Sequence, residues 1–196
     1  MDKLIELVKD LVLSPATAWQ NIRDMQVSKG DLIKKYLVYL AAIPAISGFI
    51  GGSIVGRSVP FIGYYRVPFF AGLVWAILLY VLLIGGIYLI AILTSAVSPK
   101  LTGAKNEQAA LKLIIFSFVP YFVLSVFSII PALSGLQIIS LYGVYLLYVG
   151  LPIQMENSES KTLTFTVVIT LISIVVLAIV FAIAGTVIPH NLPDFR

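Results

Sequence analysis

The chain has 196 residues, of which 60% are hydrophobic and 11% are charged, and its mean hydropathy is +1.04. Soluble domains carry about 25% charged residues, so this composition excludes a soluble globular protein and indicates an integral membrane protein. The net charge of +4 forms no basic stripe, so no nucleic-acid partner is expected, and the absence of cysteine excludes disulfides and cysteine-type metal sites.

Residues 1–32 are predicted to form an amphipathic segment at the membrane interface. Leu4, Leu7 and Leu11 share one face of a helix over 1–13, with the charged residues largely opposite. Ser14 and Pro15 begin a second short helix, in which Trp19 is expected to anchor in the headgroup region. The first helix has two open placements, either on the lipid surface or packed against the ends of the bundle.

Five nearly uncharged stretches are each long enough to cross a bilayer, because about 20 apolar residues span the hydrocarbon core. They predict an all-α transmembrane bundle that forms one domain, residues 33–189, with spans at 33–56, 69–97, 109–130, 135–153 and 162–188. The third and fourth spans lie in a run of 43 residues without Asp, Glu, Lys or Arg, interrupted at 131–135 by a segment rich in turn residues. This run is therefore predicted to be a transmembrane hairpin.

Small residues recur along the first span. Gly48, Gly52 and Gly56 stand four apart, and Ser47 and Gly51 form a second small pair beside them. Because helices in lipid associate through close van der Waals contact, the glycine ladder predicts a face where another backbone approaches. The alternatives are a water-lined groove and a dimer seam. Two prolines within spans, Pro44 and Pro120, are predicted to kink their helices.

Catalysis needs positioned acids, bases, nucleophiles or a metal, and the span interiors carry no ionisable acid or base beyond their ends. We therefore expect no catalytic residue, no cofactor and no metal site. The candidate groove or partner face consists instead of hydroxyl side chains on the third and fourth spans: Ser117, Tyr121, Tyr142, Tyr145 and Tyr148. The alternative is that the tyrosine hydroxyls bond to neighbouring carbonyls.

The distribution of Lys and Arg predicts the orientation of the chain. Ten of these residues fall on the side of residue 1 and three on the other side. Cytoplasmic connections carry the excess of Lys and Arg, so we expect a multi-pass protein of the cell membrane with a cytoplasmic N-terminus and a C-terminus outside.

Three stretches resemble the YIP1 family in its short prokaryotic form: residues 15–22 (PATAWQNI), the third span with Ser117, Pro120 and Tyr121, and residues 141–151 (LYGVYLLYVGL). The resemblance implies a small five-span protein with a cytoplasmic N-terminus. Eukaryotic members are associated with vesicle traffic and small prenylated GTPases. The segment before the first span here is only about 35 residues long and lacks an acidic and aromatic motif, so GTPase binding is not expected.

Together these features favour a non-enzymatic membrane scaffold or organiser, with a role in membrane trafficking or homeostasis. Its expected partners are the lipid bilayer and either another membrane protein or a second copy of the chain. The alternative function is a small-solute or ion permease with a path between the first, third and fourth spans. A continuous polar cavity reaching the midplane would favour the permease.

Overall fold

The structure is a computed structural model that describes residues 2–59, 63–101 and 105–188, which are almost entirely helical. The helices are α1 (Asp2–Leu13), α2 (Pro15–Asp24), α3 (Lys29–Val55), α4 (Phe69–Leu101), α5 (Glu107–Ile129), α6 (Pro131–Met155) and α7 (Glu159–Gly185). Between α3 and α4, β1 (Arg57–Val59) pairs with β2 (Gly63–Tyr65) in a short antiparallel ribbon.

Helices α3 to α7 are each long and apolar enough to cross a membrane, which confirms the expected all-α bundle of five spanning helices. Their ends differ from the sequence estimates. The first span begins at Lys29, and the second continues to Leu101. The last span, expected at 162–188, ends at Gly185. Residue 189, the expected end of the transmembrane domain, and the tail assigned to the outside lie beyond the described ranges.

The longest helix, α4, packs against α3, α5 and α7. It runs for 33 residues without interruption, including the Gly85-Gly86 pair. At about 1.5 Å per residue, this helix exceeds the hydrocarbon thickness of roughly 30 Å, so it has to tilt or extend beyond the bilayer. The face of α4 that is buried against the other helices includes Leu79, Leu83 and Ile87.

Helix α3 departs twice from α-helical geometry. Five residues, Ile33–Leu37, and six residues, Ile50–Val55, form π-helix on either side of the α-helical segment Val38–Phe49. Pro44 is buried inside that segment, where its missing amide hydrogen leaves one carbonyl of the preceding turn without its usual donor. A kink at Pro44 itself stays a prediction.

Helix α5 is interrupted beside Pro120. Its first α-helical segment ends at Ser117, and a new one begins at Val119 with Pro120 in the first turn, where no amide hydrogen is needed. The following residues tighten into a 3₁₀-helix that ends at Ile129. The hairpin turn, expected within 131–135, instead lies at Ile130, because Pro131 already starts the 3₁₀-helical half of α6.

Candidate functional site

The N-terminal segment is docked on the bundle, with α2 lying along α6. Trp19 is fully buried, and its indole ring lies against Gly150, where a Cβ atom would stand 2.5 Å from Cε2 of Trp19 and 2.8 Å from a methyl of Leu113. The prediction that Trp19 anchors in the headgroup region is therefore wrong. The glycine leaves a notch in α6 that accepts a large ring, so protein contacts replace lipid contacts.

A lysine from a spanning helix holds the end of α2. Lys112 is only 5% exposed, and its ammonium group donates to the carbonyls of Arg23 at 2.9 Å and Met25 at 2.7 Å. Because α2 ends at Asp24, these carbonyls lie at its carboxyl end, where backbone acceptors lack helical partners and the helix dipole favours a cation. Lys112 thus caps α2 from α5.

Two glutamines add to this docking site. The side-chain amide of Gln154 in α6 donates to the carbonyl of Trp19 at 3.0 Å, and that of Gln108 in α5 donates to the carbonyl of Val27. Lys29 also forms an ion pair with Glu107. The sequence analysis did not predict this site. The signal for it was the presence of polar side chains, such as Gln108, Lys112 and Gln154, at the ends of otherwise apolar spans.

The predicted tyrosine stripe on α6 divides between two environments. The hydroxyl of Tyr142 lies 3.4 Å from the carbonyls of Leu11 and of Val12, at the end of α1, as in the alternative in which tyrosines bond to neighbouring carbonyls. Tyr145 and Tyr148 are 49% and 45% exposed and face outward. The rings of Tyr142 and Tyr145 lie side by side, with centroids 5.3 Å apart, and a groove or partner face formed by the three tyrosines stays a prediction.

A cleft of ≈ 210 Å³ lies between α5, α6 and α7. Of the predicted groove residues, Ser117 and Tyr121 line it, together with Gly143, Thr170 and Ser173. The cleft is mainly apolar and lies between the third, fourth and fifth spans, whereas the expected path runs between the first, third and fourth. Ser117 Oγ is buried, with no hydrogen-bond partner within the described ranges.

A close approach of the α3 backbone to the α5 backbone lies beside the predicted glycine ladder. A Cβ on Gly51 would collide with the backbone carbonyl of Ser128 in α5, whereas one on Gly52 would meet its nearest neighbour, a methyl of Val67, at 3.8 Å. Gly52 borders a cavity of ≈ 270 Å³. The ladder is therefore corrected: Gly48 does pack closely, against the Trp75 ring, but the backbone contact is made by Gly51.

Gly56, the third residue of the predicted ladder, is not part of the helix. Its φ is +86°, a backbone conformation that residues with a side chain rarely adopt, and α3 ends at this position. The Tyr64 ring of β2 closes over it, so its role is to turn the chain into the ribbon and not to pack a helix.

The described side chains also show what chemistry they bring together. Within residues 2–59, 63–101 and 105–188, no group of three His, Asp or Glu side chains is placed to hold a metal ion. Hydroxyls on α7 bond to their own helix, as when Thr166 donates to the carbonyl of Thr162 at 2.8 Å and Thr170 to that of Thr166 at 2.7 Å. The polar contacts that dock α2, by contrast, join separate elements.

Comparison with known proteins agrees with this architecture. The family model described as Yip1 domain matches residues 9–183, which extends from α1 into α7 and includes the docking site and the cleft. No curated protein and no solved structure matches the chain. Because the family match covers most of the sequence and the five apolar helices fit it, this chain belongs to the Yip1 family and is a multi-pass membrane protein.

Proposed function

We propose that this Yip1-family protein is a non-enzymatic membrane organiser that holds its N-terminal segment in a fixed position for a membrane partner. The observation that carries the proposal is the capping of α2 by Lys112. Lys112 is only 5% exposed, and a buried cation is costly unless it is hydrogen-bonded. The Lys112 ammonium group donates to the carbonyls of Arg23 and Met25 at the end of α2, so its role is to position α2.

A fixed segment suits a scaffold because a surface that is already ordered loses less conformational entropy when a partner binds. Glu6 and Lys9 on α1 are exposed and are available for such contacts. The partner is proposed to be another membrane protein or a second copy of the chain. The family membership supports a role in membrane organisation, and trafficking or homeostasis is the proposed setting.

The cleft gives the permease alternative little support. No acidic or basic side chain of the described ranges lines it, whereas ion-coupled transporters generally carry an ionisable group in the membrane. We therefore expect liposomes containing the purified protein to release protons, K⁺ and glycerol no faster than protein-free liposomes. Protein-dependent, saturable flux of any of the three would overturn the organiser proposal in favour of transport.

Site-specific photocrosslinking in native membranes tests the proposal directly. A photoreactive amino acid at Lys9 should give discrete adducts with a partner or a second copy. Lys112→Met should abolish them, because α2 loses its cap, whereas Lys105→Met should retain them. Absence of any adduct, or adducts that persist in Lys112→Met, would contradict an organiser that works through a fixed N-terminal segment.

A further inference from the structure

The geometry points to a re-entrant hairpin: we propose that α1 and α2 dip into the leaflet on their own side of the membrane and act as a wedge among its lipid acyl chains. This inference rests on the proposed function and deepens it, because it names the lipid on which the organiser acts. Three observations carry it, namely the depth of the corner between the two helices, its backbone pairing and its apolar surface.

The depth follows from where the segment touches α6. Near the end of α6, Gln154 bonds to Trp19, whereas the end of α1 meets Tyr142. These contacts are 12 residues apart on the α-helical part of α6, a rise of about 18 Å. Gln154 lies beside the charged side chains of Arg23 and Glu156 at the end of the bundle, whereas the corner lies about 18 Å further along α6, below that charged end and beside the apolar part of the span.

The backbone at the corner is paired in a way that suits hydrocarbon, where unsatisfied polar groups are expensive. The amide of Ser14 bonds to the carbonyl of Asp10 at 2.8 Å, and the amide of Ala18 bonds to the carbonyl of Ser14 at 3.0 Å. Pro15 has no amide hydrogen. The Tyr142 hydroxyl approaches the carbonyls at the end of α1, which have no acceptor role within that helix.

The surface of the corner is apolar and open. Val12 is 55% exposed and Leu13 is 68% exposed, beside the outward-facing apolar surface of α6. Residues 11–22 carry no charged side chain, whereas Glu6, Lys9 and Asp10 lie before them and Arg23 and Asp24 after them. The uncharged residues thus include the corner, and the nearest charged residues, Asp10 and Arg23, are about 6 Å and 14 Å of helix rise from Ser14, so the corner lies about one helical turn below the nearest charge. The occupant of this surface is therefore lipid.

A hairpin that enters one leaflet adds volume to that leaflet alone. Binding of short amphipathic helices to membranes depends on curvature for the same reason. The wedge fits best where its own leaflet is convex and loosely packed. We infer that the protein concentrates in strongly curved membrane whose convex side is the side of α1 and α2.

Depth-dependent quenching tests the insertion, because the chain has no native cysteine. Fluorophores are attached to Leu13→Cys and, as the matched control near the surface, Glu6→Cys in the reconstituted full-length protein. Spin labels at mid-chain should quench the Leu13 label most strongly, and headgroup spin labels should quench the Glu6 label most strongly. Strongest quenching of the Leu13 label by headgroup probes would overturn the hairpin.

The distribution of the protein between small and large vesicles tests whether it concentrates in strongly curved membrane. An impermeant dye on Ser28→Cys, an exposed position just before α3, counts only molecules with this side outward. Their density per membrane area should be higher on small vesicles, and the difference should disappear when Val12 and Leu13 are both changed to Ser. The matched control Ile179→Ser, an exposed position on α7, should retain it.

Equal densities of the unchanged protein on both vesicle sizes would overturn the wedge, and so would a difference that persists in the double Ser variant. Neither result bears on the Lys9 photocrosslinking or the flux measurements. Failure of the wedge and failure of the organiser proposal are therefore distinguishable.

Discussion

Trp19 of the N-terminal segment packs directly against Gly150 of the spanning helix α6. The indole ring occupies the space where a side chain at position 150 would begin, with a Cβ-to-ring distance of 2.5 Å. Because Gly150 has no side chain, the ring of Trp19, more than 100 positions earlier in the sequence, can be buried against α6.

Gly150→Ala should destabilise the protein. The added methyl would overlap the Trp19 ring and a Leu113 methyl, and such overpacking costs about 1–3 kcal/mol. This cost exceeds the gain of about 1 kcal/mol that Ala brings to an exposed helix position. The measurement is thermal unfolding of the purified protein in detergent.

Gly85→Ala is the matched control for this change. Gly85 also lies within a spanning helix, but nothing stands within 4 Å of a Cβ built there. Its melting temperature should stay equal to that of the unchanged protein or rise slightly. Equal melting temperatures for Gly150→Ala and Gly85→Ala would show that Trp19 does not pack in the Gly150 notch.

Gly51→Ala and Gly52→Ala should differ strongly although the positions are adjacent. At Gly51 the methyl meets the Ser128 backbone, which cannot move without displacing the end of α5, so a loss of about 2 kcal/mol or more is expected. At Gly52 the methyl would make only an ordinary van der Waals contact with Val67, so the free energy of unfolding should change by no more than about 0.5 kcal/mol. Unfolding by heat in detergent compares the two, and a larger loss at Gly52 would restore the original ladder.

Lys112→Met should release α2 from the bundle. It leaves the carbonyls of Arg23 and Met25 without their charged donor, and hydrogen bonds to charged groups contribute about 1.5–3 kcal/mol. Amide hydrogen exchange over residues 15–27 should accelerate. Lys105→Met removes the same charge from an exposed position and should leave this exchange unchanged. Similar acceleration in both variants would assign the effect to net charge.

Orientation can be tested by labelling single cysteines in intact cells with an impermeant reagent. The excess of Lys and Arg predicts that Ser28→Cys and Ser158→Cys are protected, whereas Ser58→Cys is labelled. Labelling of Ser158→Cys combined with protection of Ser58→Cys would reverse the predicted topology.

The sequence by itself determined the class of the protein and the number of spans. Long stretches without charge can be solvated only by lipid, and helices satisfy their own backbone hydrogen bonds there. This local rule requires no knowledge of neighbouring elements, so five spans follow from counting. The family resemblance also followed from the sequence, because its motifs lie within continuous stretches.

Only the tertiary structure decided which faces meet. An apolar span gives no periodic signal for its buried side, because lipid and protein neighbours are equally apolar. The sequence therefore favoured the longer glycine ladder, whereas the contact with Ser128 is made by Gly51. It placed Trp19 in the headgroup region, since the notch at Gly150 that buries its ring exists only when α2 and α6 are brought together.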